Sequence, residues 1–393
     1  MIFIEIFLVM CAMVLLIPVL VLLVQVLLAV LVKIKPLVLT RSRPSVAVII
    51  PAHNEEALIE TTLLSIMPQL ASGDRLLVIA DNCSDDTASI AKAAGAEVIE
   101  RFNQEERGKG YALDFGIRHC MYNPPEVVII IDADCQISLD SINQLAIASI
   151  EFNRPVQALY LMLAPDGAGI KTKIAEFAWI VKNLVRPLGY LKLGLPCQLM
   201  GTGMAFPRNM ITNVNLANGN IVEDMKLGID LSIAGTPPLF YFNAKVTSYF
   251  PVVSEVQSGQ RTRWEHGHLA LILSEAPRMF VQSIAKGDKN LLAMAFDLSI
   301  PPIALLGALQ FGYAVITGIT LKLFNVGYLA YYITLSGTTL LMAAIGIAWL
   351  GWGRNIVSFS TMLLVPVYVI SKIPHYVKFL FKRQKVWNKT ERD

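Results

Sequence analysis

The chain has 393 residues, of which 54% are hydrophobic and 16% charged, with a mean hydropathy of +0.55. That composition is too apolar for an ordinary soluble enzyme, and a net charge of +3 without any long basic block argues against nucleic acid as a partner. Five cysteines, at positions 11, 83, 120, 135 and 197, are scattered and lack metal-type pairing, which argues against a disulfide framework and against zinc.

Residues 1–32 carry Glu5 and Gln25 as their clearly polar interruptions. The run is long enough to cross ~30 Å of hydrocarbon at ~1.5 Å per residue, and it lacks the basic start, short apolar core and small-residue site of a cleaved signal. Lys33, Lys35, Arg41 and Arg43 follow it, which places the middle of the chain in the cytoplasm by the positive-inside tendency.

The chain then alternates. Residues 45–50, 75–80, 97–100 and 127–131 read as strands, and 55–69, 85–94, 109–120 and 138–152 as helices, the pattern of a parallel sheet with covering helices. A strand at 157–163 follows. Lys171, Lys173, Lys182, Arg186 and Lys192 then interleave with apolar residues, in a helix that lies on a membrane surface or packs on the soluble core. A Gly-rich turn at 201–205, a helix at 223–233, an aromatic strand at 239–250 and a helix after Ser254 complete this region.

Two further spans are expected at 300–321 and 326–350, while 356–370 is short enough to span, re-enter or lie in the interface. Three segments result: 1–40, a membrane helix with a basic junction; 41–290, a cytosolic domain; and 291–393, a membrane region of two or three spans. Two spans return the basic tail of Lys382, Arg383, Lys385 and Lys389 to the cytoplasm, the expected arrangement.

Several motifs sit where such a sheet places its ligands. Pro51-Ala-His53-Asn-Glu55-Glu56 follows a strand and opens a helix, where it can cradle a base or ribose or simply cap the helix. Asp81 ends the second strand and can accept a hydrogen bond from the imide of uracil, with N-capping as the plainer use of its neighbours. Lys109, flanked by Gly108 and Gly110, can meet a phosphate as a point charge. Asp132-Ala-Asp134 lies just beyond a buried strand, and two carboxylates there suit Mg²⁺ or Mn²⁺ together with substrate phosphates. Glu223-Asp224 opens a helix and offers a general base, or favourable charge at a helix start. Gln260, Arg263 and Trp264 share one helical face that presents an amide, a guanidinium and a flat indole, a surface suited to a sugar. His266 and His268, two apart on a helix, read as ordinary helix residues rather than metal ligands.

In this order, over residues 45–270, the set resembles the membrane-bound inverting glycosyltransferases of family 2, the group containing cellulose, chitin and hyaluronan synthases. The resemblance implies an α/β, GT-A-type (Rossmann-like) cytosolic domain flanked by transmembrane helices, in an integral protein of the plasma (inner) membrane. It implies that His53, Glu55, Asp81, Lys109 and Asp132 bind the nucleotide sugar, UDP-linked by the same likeness, and that Asp132 and Asp134 hold a divalent cation. Asp224 would be the catalytic base, with Gln260, Arg263 and Trp264 at the acceptor. The reaction implied is transfer of a hexose to a growing polysaccharide with inversion, beside membrane lipid and with polysaccharide export partners. Transfer of a single sugar to a lipid acceptor, as in ceramide glucosyltransferases, is the alternative of the same chemistry. A non-catalytic scaffold of an export complex is the alternative of another class, and a membrane nucleotidyltransferase lacks a Gly-rich triphosphate loop here.

Overall fold

Uninterrupted runs of aliphatic and β-branched residues become strands buried on both faces, as parallel sheets require. The structure is a computed structural model that describes residues 2–31, 33, 39–217, 219–251 and 254–381. Lys35 and the basic tail of Lys382, Arg383, Lys385 and Lys389 lie outside the described residues. Two units can be separated by their internal packing, one taking in residues 39–165 and 195–267 and the other 2–33, 166–194 and 268–381.

The first unit holds a sheet of eight strands: β1 (Val46–Ala52), β2 (Arg75–Asp81), β3 (Glu97–Arg101), β4 (Val127–Ile130), β5 (Gln136–Ile137), β6 (Val156–Leu163), β7 (Met204–Pro207) and β8 (Leu239–Tyr249). Their order across the sheet is β3-β2-β1-β4-β7-β6-β8-β5. Strands β3, β2, β1 and β4 are mutually parallel, β7 is antiparallel to both β4 and β6, and β5 is antiparallel to β8, so the sheet is mixed. Ile49, Ile79 and Ile130 on one face pack with Leu113 and Ile117 of the helix Lys109–Cys120 and with Phe206 of β7. Each such side chain contributes about 1.5–3 kcal/mol by leaving water.

Where the structure departs from the sequence reading, tertiary contacts are the reason. Helix formation after β1 begins only at Ile59, because residues 53–56 are bonded to the loop after β2. The stretch expected to be one helix from 138 begins at Ser141, and the two-residue β5 before it pairs with β8. The Gly-rich turn leads directly into β7, which fills the gap between β4 and β6.

The second unit is helical. Three of its helices, Ile2–Leu31, Ile303–Phe324 and Tyr328–Gly353, are long and apolar enough to cross a membrane, and Phe359–Pro374 is apolar but shorter. Leu8 and Ala12 of the first helix pack on Ala330 of the third, and Leu8 and Leu15 accept hydrogen bonds from Tyr313 and Gln310 through their carbonyls at 2.8 and 2.7 Å. The amphipathic stretch forms Ile170–Ile180, one π-helical turn and Arg186–Leu191. A buried polar group ties these pieces together: the Gln25 amide donates to Asp297 Oδ1 at 2.7 Å, and Arg186 Nη2 donates to the same oxygen at 2.8 Å.

Candidate active site

Four parallel strands end at one edge of the sheet, so the segments after Ala52, Asp81, Arg101 and Ile130 gather there. The loops after β1 and β2 are bonded to each other. Asn54 and Asn82 take up left-handed backbone conformations, with φ of 54° and 53°, which their short polar side chains allow by bonding locally. The Asn54 amide oxygen accepts from the Ser84 N–H at 2.8 Å, the Glu55 N–H donates to Thr87 Oγ1 at 2.8 Å, and His53 Nδ1 lies 2.6 Å from the Asp81 carbonyl.

Asp81 is buried and ion-paired, its Oδ1 2.8 Å from Arg101 Nη1. Arg101 also reaches Glu106 at 3.3 Å and stands 5.7 Å above the Tyr111 ring. Sequence reasoning missed this arginine. Its signal was register, since Asp81 and Arg101 are direct partners across β2 and β3, and register exists only once the two strands are paired.

A second cluster forms around the Gly-rich turn. Lys109 opens the helix Lys109–Cys120, and its ammonium is 2.5 Å from Asp132 Oδ1, 2.7 Å from the Gly201 carbonyl and 3.8 Å from Glu223 Oε1. Gly201 has φ of +92°, and a Cβ there would lie 3.3 Å from Asp224 Oδ2, 3.6 Å from Lys109 Nζ and 3.9 Å from Asp132 Oδ2. The turn is therefore the common neighbour of Lys109, Asp132 and Asp224. Thr202 supports it by accepting a hydrogen bond from the Asp132 N–H through Oγ1 at 3.0 Å.

The electrostatics follow from crowding half-buried carboxylates around one lysine. Burial raises the Asp132 pKa, Lys109 opposes the rise, and Asp134 adds to it. Burial likewise pushes Glu223 up, to about 7, against the pull of Lys109 and with the help of Asp224. Burial works to lower the Lys109 pKa, but Asp132, Glu223 and Asp224 outweigh it and hold the ammonium above its ordinary value.

Asp132, Asp134 and Cys135 can each offer one ligand atom, all within 4.8 Å of one another. Two carboxylate oxygens in that set fit a hard divalent cation such as Mg²⁺ or Mn²⁺, which takes the rest of its shell from phosphates and water. The Cys135 thiol, which donates to Asp134 Oδ1 at 3.4 Å, was not among the expected site residues.

Gln260, Arg263 and Trp264 lie on the helix Ser254–Lys286, with Gln260 buried and the other two half-buried. The charge of Arg263 acts on Glu223. Gly267, one turn further on, comes so close to Val222 that a Cβ on it would be 2.7 Å from Val222 Cγ1. The Gln-Arg-Trp helix is thus docked against the residue that precedes Glu223 and Asp224. The structure brings Lys109, Asp132, Glu223 and Asp224 around one turn, with Arg263 acting on that group. His53 and Asp81 form a second group at the neighbouring strand ends.

A sequence model of the family described as Glycosyltransferase like family 2 matches residues 44–267. A probable glycosyltransferase of Bacillus subtilis, YdaM, is 25% identical over 247 residues, which are 60% of this chain and 58% of that protein. A glucosyl-3-phosphoglycerate synthase of Mycobacterium tuberculosis is 37% identical over 97 residues, 23% of this chain and 29% of that protein. This chain thus spans less than two thirds of the length of the curated relatives it matches. Among solved structures, the mannosyltransferase PcManGT of Pyrobaculum calidifontis, in complex with GDP-Man and Mn²⁺, is similar with a TM-score of 0.57. The likeness covers 96% of this chain and 100% of that one at 16% identity, and it is a likeness of fold.

Proposed function

The chain belongs to the glycosyltransferase like family 2 and has the GT-A-type fold, and from that premise we propose that it transfers a hexose from a nucleotide diphosphate sugar to a growing polysaccharide, with inversion. The observation that carries this reading is the convergence of Lys109, Asp132 and Asp224 on the turn at Gly201.

The geometry supports the following roles. Asp224 takes the proton from the acceptor hydroxyl, whose oxygen attacks the anomeric carbon from the face opposite the diphosphate. The bond from that carbon to the diphosphate breaks, and its electron pair leaves with the phosphate oxygen. Lys109 exchanges Asp132 for that developing charge, an electrostatic stabilisation by a donor already held in place. Asp132 and Asp134 would hold Mg²⁺ or Mn²⁺, which when bound would offset the negative charge of the leaving diphosphate. His53, Glu55 and Asp81 serve the base and ribose, with Arg101 holding Asp81 in place. Gln260, Arg263 and Trp264 line the acceptor end, next to the base.

On this reading residues 41–290 form the cytoplasmic catalytic part and the apolar helices anchor it in the plasma (inner) membrane, in the manner of cellulose, chitin and hyaluronan synthases. The same apolar helices favour a second reading, in which the acceptor is a lipid that receives one sugar.

Release of nucleoside diphosphate from a panel of nucleotide sugars by the protein in lipid, with Mg²⁺ or Mn²⁺ and then chelator, tests the proposal. Metal-dependent release from one donor, lost in Asp224→Asn, supports it. No release from any donor in the presence of a membrane extract as acceptor overturns it, and a product carrying one sugar on a lipid replaces the first reading by the second.

A further inference from the structure

Where β6 and β7 part, a buried glutamine takes over from the ladder. Gln157 lies opposite Met204, the first residue of β7, and the Ala158 N–H donates to the Gly203 carbonyl at 2.8 Å. Residues 200–202 have by then left the sheet, and on its other side β6 shifts register against β8 between Ala158 and Leu159. A buried turn outside its sheet must still find partners for its N–H and C=O groups. Gly201 and Gly203 both have positive φ, +92° and +64°, so no helix or strand supplies those partners.

The wholly buried Gln157 side chain supplies them. Its Oε1 accepts from the Met200 N–H at 2.8 Å, and its Nε2 donates to the Thr202 carbonyl at 2.9 Å and to the Ala158 carbonyl at 2.8 Å. One amide thus grips the chain on both sides of Gly201. The Gly201 carbonyl is left to accept from Lys109 Nζ at 2.7 Å, and Thr202 Oγ1 accepts from the Asp132 N–H at 3.0 Å. Behind the turn there is no room to retreat, since a Cβ on Gly203 would lie 2.8 Å from both Ala158 Cβ and Val246 Cγ2.

We propose that Gln157 is a positioning residue for sugar transfer: by holding Met200 and Thr202 it aims the Gly201 carbonyl at Lys109 and sets the backbone of Asp132. Being wholly buried, it acts through the turn and not on the substrate. The role rests on the sugar-transfer reading above. His53 and Asp81 lie outside this chain of bonds, so the clamp bears on the chemical step more than on capture of the donor.

The test compares the full chain in lipid with two variants. Gln157→Met keeps the length and bulk of the side chain but neither bond. Gln157→Glu has a carboxyl that burial keeps neutral, offering one acceptor and one donor at the same reach. Steady-state kinetics on the donor that the parent protein turns over is read beside amide hydrogen exchange of peptides covering 199–206. Gln157→Met should lower kcat roughly a hundredfold with KM for the donor within about twofold, and quicken exchange at 200–203. Gln157→Glu should restore most of the lost kcat and the slow exchange. Gln157→Asn, an amide too short to span both partners, replaces Gln157→Met if that variant does not fold, and the same losses are expected of it. A parent-like kcat in the variant lacking the clamp overturns the proposal, as does a raised KM with kcat unchanged. Equal loss in Gln157→Glu also overturns it, because the two bonds then do not set the rate. A parent protein that turns over no donor overturns the sugar-transfer reading instead, and unchanged exchange in the folded variant overturns the clamp whether or not any donor is turned over.

Discussion

A lysine placed 2.5 Å from one carboxylate and 3.8 Å from another, with a backbone carbonyl at 2.7 Å, is fixed more tightly than a long side chain fixes itself. If Lys109 meets the departing diphosphate, Lys109→Met should lower kcat more than it raises KM for the donor, and steady-state kinetics on both parameters checks this. If Asp224 is the base, Asp224→Asn should lower kcat by roughly a hundred- to ten-thousandfold with little change in thermal unfolding. Gly201→Ala should remove activity from a folded protein, since its methyl would crowd the Asp224 carboxylate at 3.3 Å on a backbone whose φ of +92° disfavours any side chain. Circular dichroism beside an assay separates that outcome from unfolding.

Glu223 gives a pH prediction. Burial holds its carboxyl protonated up to about 7, against an ordinary 4.5, so unfolding between those values releases a proton and native stability falls as pH rises through that window. Glu223→Gln should flatten that fall in thermal unfolding recorded across pH. An unchanged slope would remove Glu223 as its source.

At the scale of elements, the contact between Gly267 and Val222 joins the Gln-Arg-Trp helix to the start of the helix Glu223–Ile233. Gly267→Ala should push the two apart and lower activity, and Val222→Ala in the same chain should restore part of it, a coupling that a double-mutant cycle measures. Strands β1, β2 and β4 were legible in the sequence because a strand buried on both faces is a continuous apolar run. Strands β5 and β7 were not, being two and four residues long and defined by partners far along the chain. The site divided in the same way. Carboxylates after a buried strand announce themselves, and so Asp132 and Asp134 were legible. Arg101, Thr202 and the Gly201 carbonyl act through pairing and close approach, which no local pattern encodes.

At the scale of the molecule, the three helices among the described residues that are long and apolar enough to span set the expectation that alkaline carbonate leaves the protein with the membrane pellet. Release into the supernatant would remove the spanning reading. The bond from Gln25 to Asp297 joins residues 272 apart, and it places an amide inside the first long apolar helix. That helix is made early, whereas its acceptor emerges from the ribosome on the order of tens of seconds later at ~5–20 residues per second. Until then the amide has no oxygen from Asp297 to bond, and the first helix cannot reach its final state alone. Completion of the first long apolar helix is thereby timed by the synthesis of a residue 272 positions later, which makes these two segments partners in assembly as well as in structure.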